Sequence, residues 1–396
     1  MSGTVFRSHA APSPAIPRAV NKDFAVVRAR LSAEQLVARF VRAGYARVEP
    51  PVLQPADVFL DLSGEDIRRR MFVTTDAEGR ELALRPEFTI PVARLHLESP
   101  DAGRKAAYSY CGPVFRLRTG ESGEFVQAGI ESFGRTDLAA ADAEIIGLAL
   151  ESVEAADGPR DAAIRLGDVG LFTALTDALG LAPAVLRRLK RAFAQGTLSP
   201  EALSDLSSPV TTTGEHAGLI AALSGQDPRA ARAFVEDLLQ IAGISKGVGR
   251  SPAEIAERFL SQAENEGSGL PDEARAVLAR YLAIEGDLDS AALDLRELAR
   301  EAGLPLDAAL DLFEARTGFL AAGGVAVERI AFSTAFGRNL DYYTGMVFEI
   351  RDPRRDAKPL VGGGRYDRLM ETLGAKAPVP AVGCSIWMDR LIGDAA

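Results

Sequence analysis

Apolar and polar positions alternate with a period of two in several short stretches of this chain and recur with a helical period in others. In EFVQAGIESFG, residues 124–134, Val126, Ala128 and Ile130 fall on one face while Gln127, Gly129 and Glu131 fall on the other, because successive strand side chains point to opposite sides. Strand-like segments are also read at residues 72–75, 81–85 and 107–118, joined by short glycine-containing turns. The pattern resumes after Val327 and runs through GMVFEI, LVGGGRYDRL and PAVGCSIWMDRL. Short neighbouring strands of this kind predict an antiparallel sheet. Residues 32–43 predict a helix: Ser32 and Gln35 form a capping-box pair, Leu36, Phe40 and Val41 give an apolar stripe, and Gly44 ends it.

From about Asp137 to Gly323 the chain becomes rich in Ala and Leu at helical spacing, interrupted near Ile164. The expected fold class is therefore α+β, an antiparallel sheet flanked by helices and split by a helical insertion. The boundaries are read as a flexible Ala/Pro/Ser-rich tail at 1–20, a core of 21–175 and 324–396, and an insertion of 176–323. Within the insertion, SPAE at residues 251–254 has the residues of a helix start. The preceding GISKGVGRS misses the spacing of a phosphate-binding loop.

Bulk properties narrow the function classes. The 396 residues are 47% hydrophobic and 25% charged, an ordinary globular composition long enough for two or three domains. No apolar run approaches the roughly 20 residues of a membrane helix, and the N-terminus lacks the apolar segment of a secretory signal, so a cytoplasmic protein is expected. A formal charge of −10 argues against general nucleic-acid binding. Cys111 and Cys384 are far apart and His9, His96 and His216 are isolated, which gives neither a disulfide framework nor a metal site. No cofactor or metal is expected.

Four stretches carry candidate chemistry. The polar face of 124–134 presents Gln127 and Glu131 on either side of a residue with no side chain, the shape of a floor for a small molecule. LRPEFT places Glu87 and Thr89 at a strand-to-helix corner, where the carboxylate either meets a ligand or caps the helix. CGPVFRLR sets Arg116 and Arg118 on one face opposite Phe115 and Leu117. In FGRNLDYYTGMVFEI, Arg338 precedes two adjacent tyrosines, and strand alternation predicts that Tyr342 and Tyr343 diverge, one packing and the other meeting a ligand.

Taken in order, GYARVEPPVLQPADVF, LRPEFT, CGPVFRLR, QAGIESFG, GRNLDYYTGMVFE, GGGRYDRL and PAVGCSIWMDRL resemble the catalytic core of histidyl-tRNA synthetases, a class II synthetase family. The likeness spans roughly residues 30–170 and 325–396 and extends to the helical middle by position only. It implies a histidine pocket of Glu87, Thr89, Gln127, Glu131, Tyr343 and Tyr366, with Arg338 near the carboxylate. Arg116, the arginine of the second class II motif, and Tyr342 complete the candidate set. Carboxylates would receive the α-ammonium and an imidazole N–H, and tyrosines would define the side-chain slot. The resemblance also implies a homodimer through the first class II motif, GYARVEPPVLQP, with Pro51 on its strand.

Departures from the family alter the expected activity. The loop after Arg116, LRTGESGEF, is short and lacks the family's glutamate and its basic, aromatic second half. Trp387 stands where the family has glycine before the closing arginine, here Arg390, in the space of the adenine and ribose. The chain ends at Ala396, soon after Arg390, which reads as the loss of an anticodon-binding domain. What the resemblance then implies is a noncatalytic paralogue of the synthetases. Such a chain accompanies the short-form catalytic subunit of ATP phosphoribosyltransferase in the first step of histidine biosynthesis, within a hetero-oligomer, and conveys feedback by histidine. The competing expectation is a histidine-activating ligase acting on an acceptor other than tRNA. Neither reading involves a membrane.

Overall fold

The computed structural model describes residues 18–62, 67–156, 158–159, 161–207, 233–234, 237, 269–338, 342–354 and 358–392. The 1–17 part of the tail, GISKGVGRS and SPAE lie outside them.

A nine-stranded sheet organises the described chain, with strand order β1-β5-β6-β12-β11-β10-β7-β9-β8. These are β1 (Ala46–Arg47), β5 (Ala106–Phe115), β6 (Glu124–Phe133), β7 (Ala163–Asp168), β8 (Glu285–Gly286), β9 (Ile330–Ser333), β10 (Met346–Arg351), β11 (Val361–Arg365) and β12 (Ala381–Trp387). A second sheet of order β2-β4-β3 joins β2 (Leu53–Pro55), β3 (Val73–Thr75) and β4 (Glu81–Leu84). The middle of the large sheet is antiparallel as expected, but β1 with β5 and β7 with β9 pair in parallel. Parallel neighbours require a long crossover. Here β7 and β9 are separated by the whole helical middle, which the short-turn pattern used to infer an antiparallel sheet does not register.

Two expected boundaries are corrected. The first helix spans Arg18–Arg42, not 32–43, and takes in residues 18–20, read above with the tail. Ser32 is thus a mid-helix residue and forms no capping box. Among the described side chains, the buried row on this helix includes Ala29, Ala33, Leu36, Val37 and Phe40, whereas Val41, expected in the stripe, is 48% exposed. Packing of the extended face outweighs the local cap signal. Strand β5 stops at Phe115, three residues short of its expected end. The backbone there turns to pair Arg116 N–H with Gly123 O at 2.8 Å and Leu117 N–H with Arg70 O at 2.8 Å.

One face of the sheet, carrying Val126, Ala128, Ile130 and Phe348, packs against helices including Leu138–Ala155, Leu288–Ala302 and Asp307–Ala322, with Ile146, Leu295 and Phe313 at the contact. Each fully buried side chain of this size contributes about 1.5–3 kcal/mol. Charge is enclosed as well. Arg316 on the Asp307–Ala322 helix, 1% exposed, reaches Asp142 at 3.1 Å and Asp168 at 2.5 Å. Arg365 at the end of β11 reaches Asp142 from the other side at 2.6 Å. Two arginines and two aspartates thereby neutralise one another, which isolated buried charges could not do. The opposite face, with Phe88, Tyr110, Val347 and Tyr366, forms a second apolar cluster and holds the site. Among the described residues no helix is long and apolar enough to cross a membrane.

Candidate functional site

A cavity of about 500 Å³ opens on this second face. β12 lines it with Gly383, Cys384, Ser385 and Trp387 and β6 with Gln127, and the alternation of β6 directs Gln127 and Glu131 away from the helix-packed core, as the sequence predicts. Gln127 lines the cavity and is fully buried, yet neither its amide nitrogen nor its oxygen has a partner among the described residues. Buried amides are normally satisfied, so this one is suited to a ligand that both donates and accepts. Glu131 lies behind the wall, fully buried. It accepts hydrogen bonds from the Thr89 hydroxyl at 2.8 Å, from the Tyr110 hydroxyl at 3.2 Å and from the Tyr366 hydroxyl at short range. None of these donors carries a charge. Burial pushes the Glu131 carboxyl up to about 8, against the downward pull of its hydroxyl neighbours.

The corner LRPEFT puts Glu87 at a helix start and on the cavity wall together. Glu87 accepts the N–H groups of Thr89 at 2.7 Å and Ile90 at 2.9 Å, capping the Thr89–Glu98 helix, and the same residue lines the cavity beside Thr89. Burial raises its pKa, and the Arg116 guanidinium opposes that shift after the two backbone N–H groups. Arg116 lines the cavity and donates from Nε to Pro86 O at 2.7 Å. Its own pKa is pulled down to about 10 by burial.

Arg118 does not share that face. Because the strand has already ended, its guanidinium turns to Glu121 at 2.9 Å and Asp389 at 3.2 Å, above the ring of Phe125. The two adjacent tyrosines also depart from expectation. Tyr342 and Tyr343 precede β10 in a turn, so strand alternation does not govern them, and both line the cavity. Their ring centroids are 5.0 Å apart, and Tyr366 lies 5.6 Å from Tyr342 and 6.5 Å from Tyr343. Burial pushes the Tyr343 phenol up to about 12.

Arg338 reaches the cavity along β11 and is held by Glu349 at 2.8 Å, which also pairs with Arg351 at 2.5 Å. The chain makes room for it with glycine: a Cβ on Gly362 would overlap the Arg338 guanidinium, and one on Gly364 would sit 2.8 Å from the Tyr343 ring. Trp387 lines the same cavity, 6% exposed, with the guanidinium carbons of Arg338 and Arg390 at 5.8 and 4.7 Å from its ring.

Of the nine candidate residues, eight line the cavity and Glu131 stands one layer back. Sequence reasoning missed Glu349, Arg351 and Arg165 on its rim. Glu349 sits in GMVFEI, an apolar run whose register opposite Gly362 is a tertiary fact. Among the described residues no group of three or more His, Cys, Asp or Glu could hold a metal ion.

The family model for histidyl-tRNA synthetase matches residues 23–251 and 233–391. An ATP phosphoribosyltransferase regulatory subunit from Mesorhizobium japonicum is 46% identical over 345 residues, covering 87% of this chain and 92% of that one. Another from Agrobacterium fabrum is 42% identical over 359 residues, covering 91% and 95%. Among solved structures, an ATP phosphoribosyltransferase regulatory subunit/histidyl-tRNA synthetase from Bacillus halodurans superimposes with a TM-score of 0.61 at 22% identity, covering 100% of this chain and 84% of that one. A histidine–tRNA ligase subunit from Alicyclobacillus acidocaldarius gives 0.56 at 24%, covering 99% and 98%. The structural likenesses establish the class II synthetase fold, and the sequence relatives establish the branch within it. The chain belongs to the histidyl-tRNA synthetase family and, inside that family, to the ATP phosphoribosyltransferase regulatory subunits.

Proposed function

We propose that this chain is the noncatalytic regulatory subunit that activates a short-form ATP phosphoribosyltransferase catalytic subunit, and that its cavity binds histidine as the feedback signal. Relatives at 42–46% identity over most of their length bear the regulatory name, which favours this reading over the ligase. One observation carries the ligand assignment: a single pocket combines the buried carboxyl group of Glu87 with the unpartnered amide of Gln127 and three tyrosine rings, and the buried Glu131 stands one layer behind it. Free histidine supplies what these lack, a cationic ammonium, ring N–H groups and an aromatic body. Feedback requires only that histidine have different affinity for active and inhibited assemblies.

The proposal includes a homodimer through the first class II motif, leaving other surfaces for the catalytic chains. Calorimetry of histidine binding to the assembled complex tests the pocket. Losing one hydrogen bond to a charged group should weaken binding by roughly 1.5–3 kcal/mol, about ten- to a hundredfold. Unchanged affinity in both Glu87→Gln and Tyr343→Phe contradicts the pocket assignment, and histidine-dependent exchange of pyrophosphate into ATP would favour the ligase.

A further inference from the structure

Trp387 has so far figured as a bulky replacement, but its polar end is the more informative part. It closes β12 directly opposite Gln127 in the sheet register. Its backbone is fixed by a 2.9 Å hydrogen bond from its N–H to Leu360 O. The indole is 6% exposed and lines the cavity, and its Nε1–H has no acceptor among the described residues. Buried tryptophan N–H groups ordinarily find a partner. Arg338 shows the same pattern: one terminal nitrogen holds Glu349 at 2.8 Å while its buried Nε has no partner. With Gln127 this makes three side chains with an unpartnered buried polar atom, from β6, β12 and the segment before β10, lining one cavity.

Their chemistry is mostly that of donors: an indole N–H, a guanidinium N–H and an amide NH2. Two guanidinium groups lie within 5.8 Å of the indole ring. The matching ligand group has at least two acceptor oxygens and negative charge. Glu87 on the cavity wall, with Glu131 behind it, suits the cationic and N–H portions of a ligand, which leaves the carboxylate for this side. Resting on the histidine reading above, in which the resemblance already sets Arg338 near the carboxylate, we propose that the indole N–H of Trp387 is a further group that holds the free α-carboxylate of bound histidine. The pocket is then selective for the free amino acid over derivatives whose carboxylate is reduced or masked. Trp387 is thereby a specificity residue as well as an obstruction.

Because Trp387 is the sole tryptophan of the chain, its indole can be observed without interference. The full chain, labelled with ¹⁵N at the indole and assembled with unlabelled catalytic subunit, is titrated with histidine and with histidinol, which carries a hydroxymethyl group in place of the carboxylate. Histidine should move the indole N–H resonance downfield and histidinol should not. In calorimetry, histidine should bind at least about tenfold more tightly than histidinol, and Trp387→Phe should remove most of that difference by weakening histidine alone. Equal weakening of both ligands by Trp387→Phe, or an indole resonance that ignores histidine while histidine binds, overturns the carboxylate role and leaves the pocket reading intact. Absence of histidine binding to the wild-type assembly overturns both.

Discussion

Gly383 lies directly across the β6–β12 ladder from Glu131, and a Cβ on it would overlap the Glu131 carboxylate. The glycine is what lets a charged-type side chain lie flat inside the sheet face, within reach of Thr89, Tyr110 and Tyr366. Gly383→Ala should therefore act at two levels. Overpacking costs about 1–3 kcal/mol of folding stability, and displacement of Glu131 should weaken histidine binding by at least about tenfold. Urea denaturation and calorimetry on the same preparation measure the two effects; wild-type values for both would contradict the geometry.

Protonation of Glu131 gives a stability signature. Its carboxyl is raised by burial from an ordinary 4.5 to about 8 in the folded chain. Its stabilising contribution is therefore full below pH 4.5 and is lost as pH rises toward 8, where the folded state holds a proton that the unfolded state has released. Glu131→Gln is neutral throughout. The thermal midpoint of the variant should gain on wild type steadily between pH 5 and pH 8 in the absence of histidine, and a constant difference would show that the carboxyl is not raised.

Glu87 and Tyr343 separate binding from folding. Glu87 caps the Thr89–Glu98 helix through two backbone N–H groups, so Glu87→Ala should cost about 0.5–2 kcal/mol of stability as well as affinity. Tyr343→Phe should reduce affinity with little change in stability. Denaturation and calorimetry of the pair distinguish a cap that faces a ligand from a cap alone.

Removing one member of the buried charge cluster should be severe. Arg316→Met leaves Asp168 without its ion-pair partner and should destabilise the chain by about 3–5 kcal/mol. Adding Asp168→Asn should recover part of the loss in a denaturation series; an exposed-pair magnitude below about 1 kcal/mol would show that the cluster is solvated.

The legible parts of this protein were those governed by short-range periodicity. The period-two faces of 124–134 separated Val126, Ala128 and Ile130 from Gln127 and Glu131, and the LRPEFT corner marked Glu87 and Thr89. Period failed where the chain leaves regular structure. Tyr342 and Tyr343 share a cavity because they occupy a turn, and Arg118 leaves the Arg116 face because β5 has ended. Nor could local patterning find the pairing of Arg316 with Asp142 and Asp168, 174 and 148 positions away. Those contacts are made by the sheet order and by the packing of helices from the middle of the chain.

The proposed function is a division of labour in which this chain activates a separate catalytic subunit and its pocket senses histidine. Formation of phosphoribosyl-ATP by the short-form catalytic subunit, measured alone, with this chain, and with the Glu131→Ala variant, across a histidine titration, tests it most directly. Wild-type chain should raise the rate and histidine should depress it, whereas Glu131→Ala should raise the rate equally and shift inhibition to at least about tenfold higher histidine. A catalytic rate indifferent to this chain, or equal inhibition of both assemblies, would contradict the account.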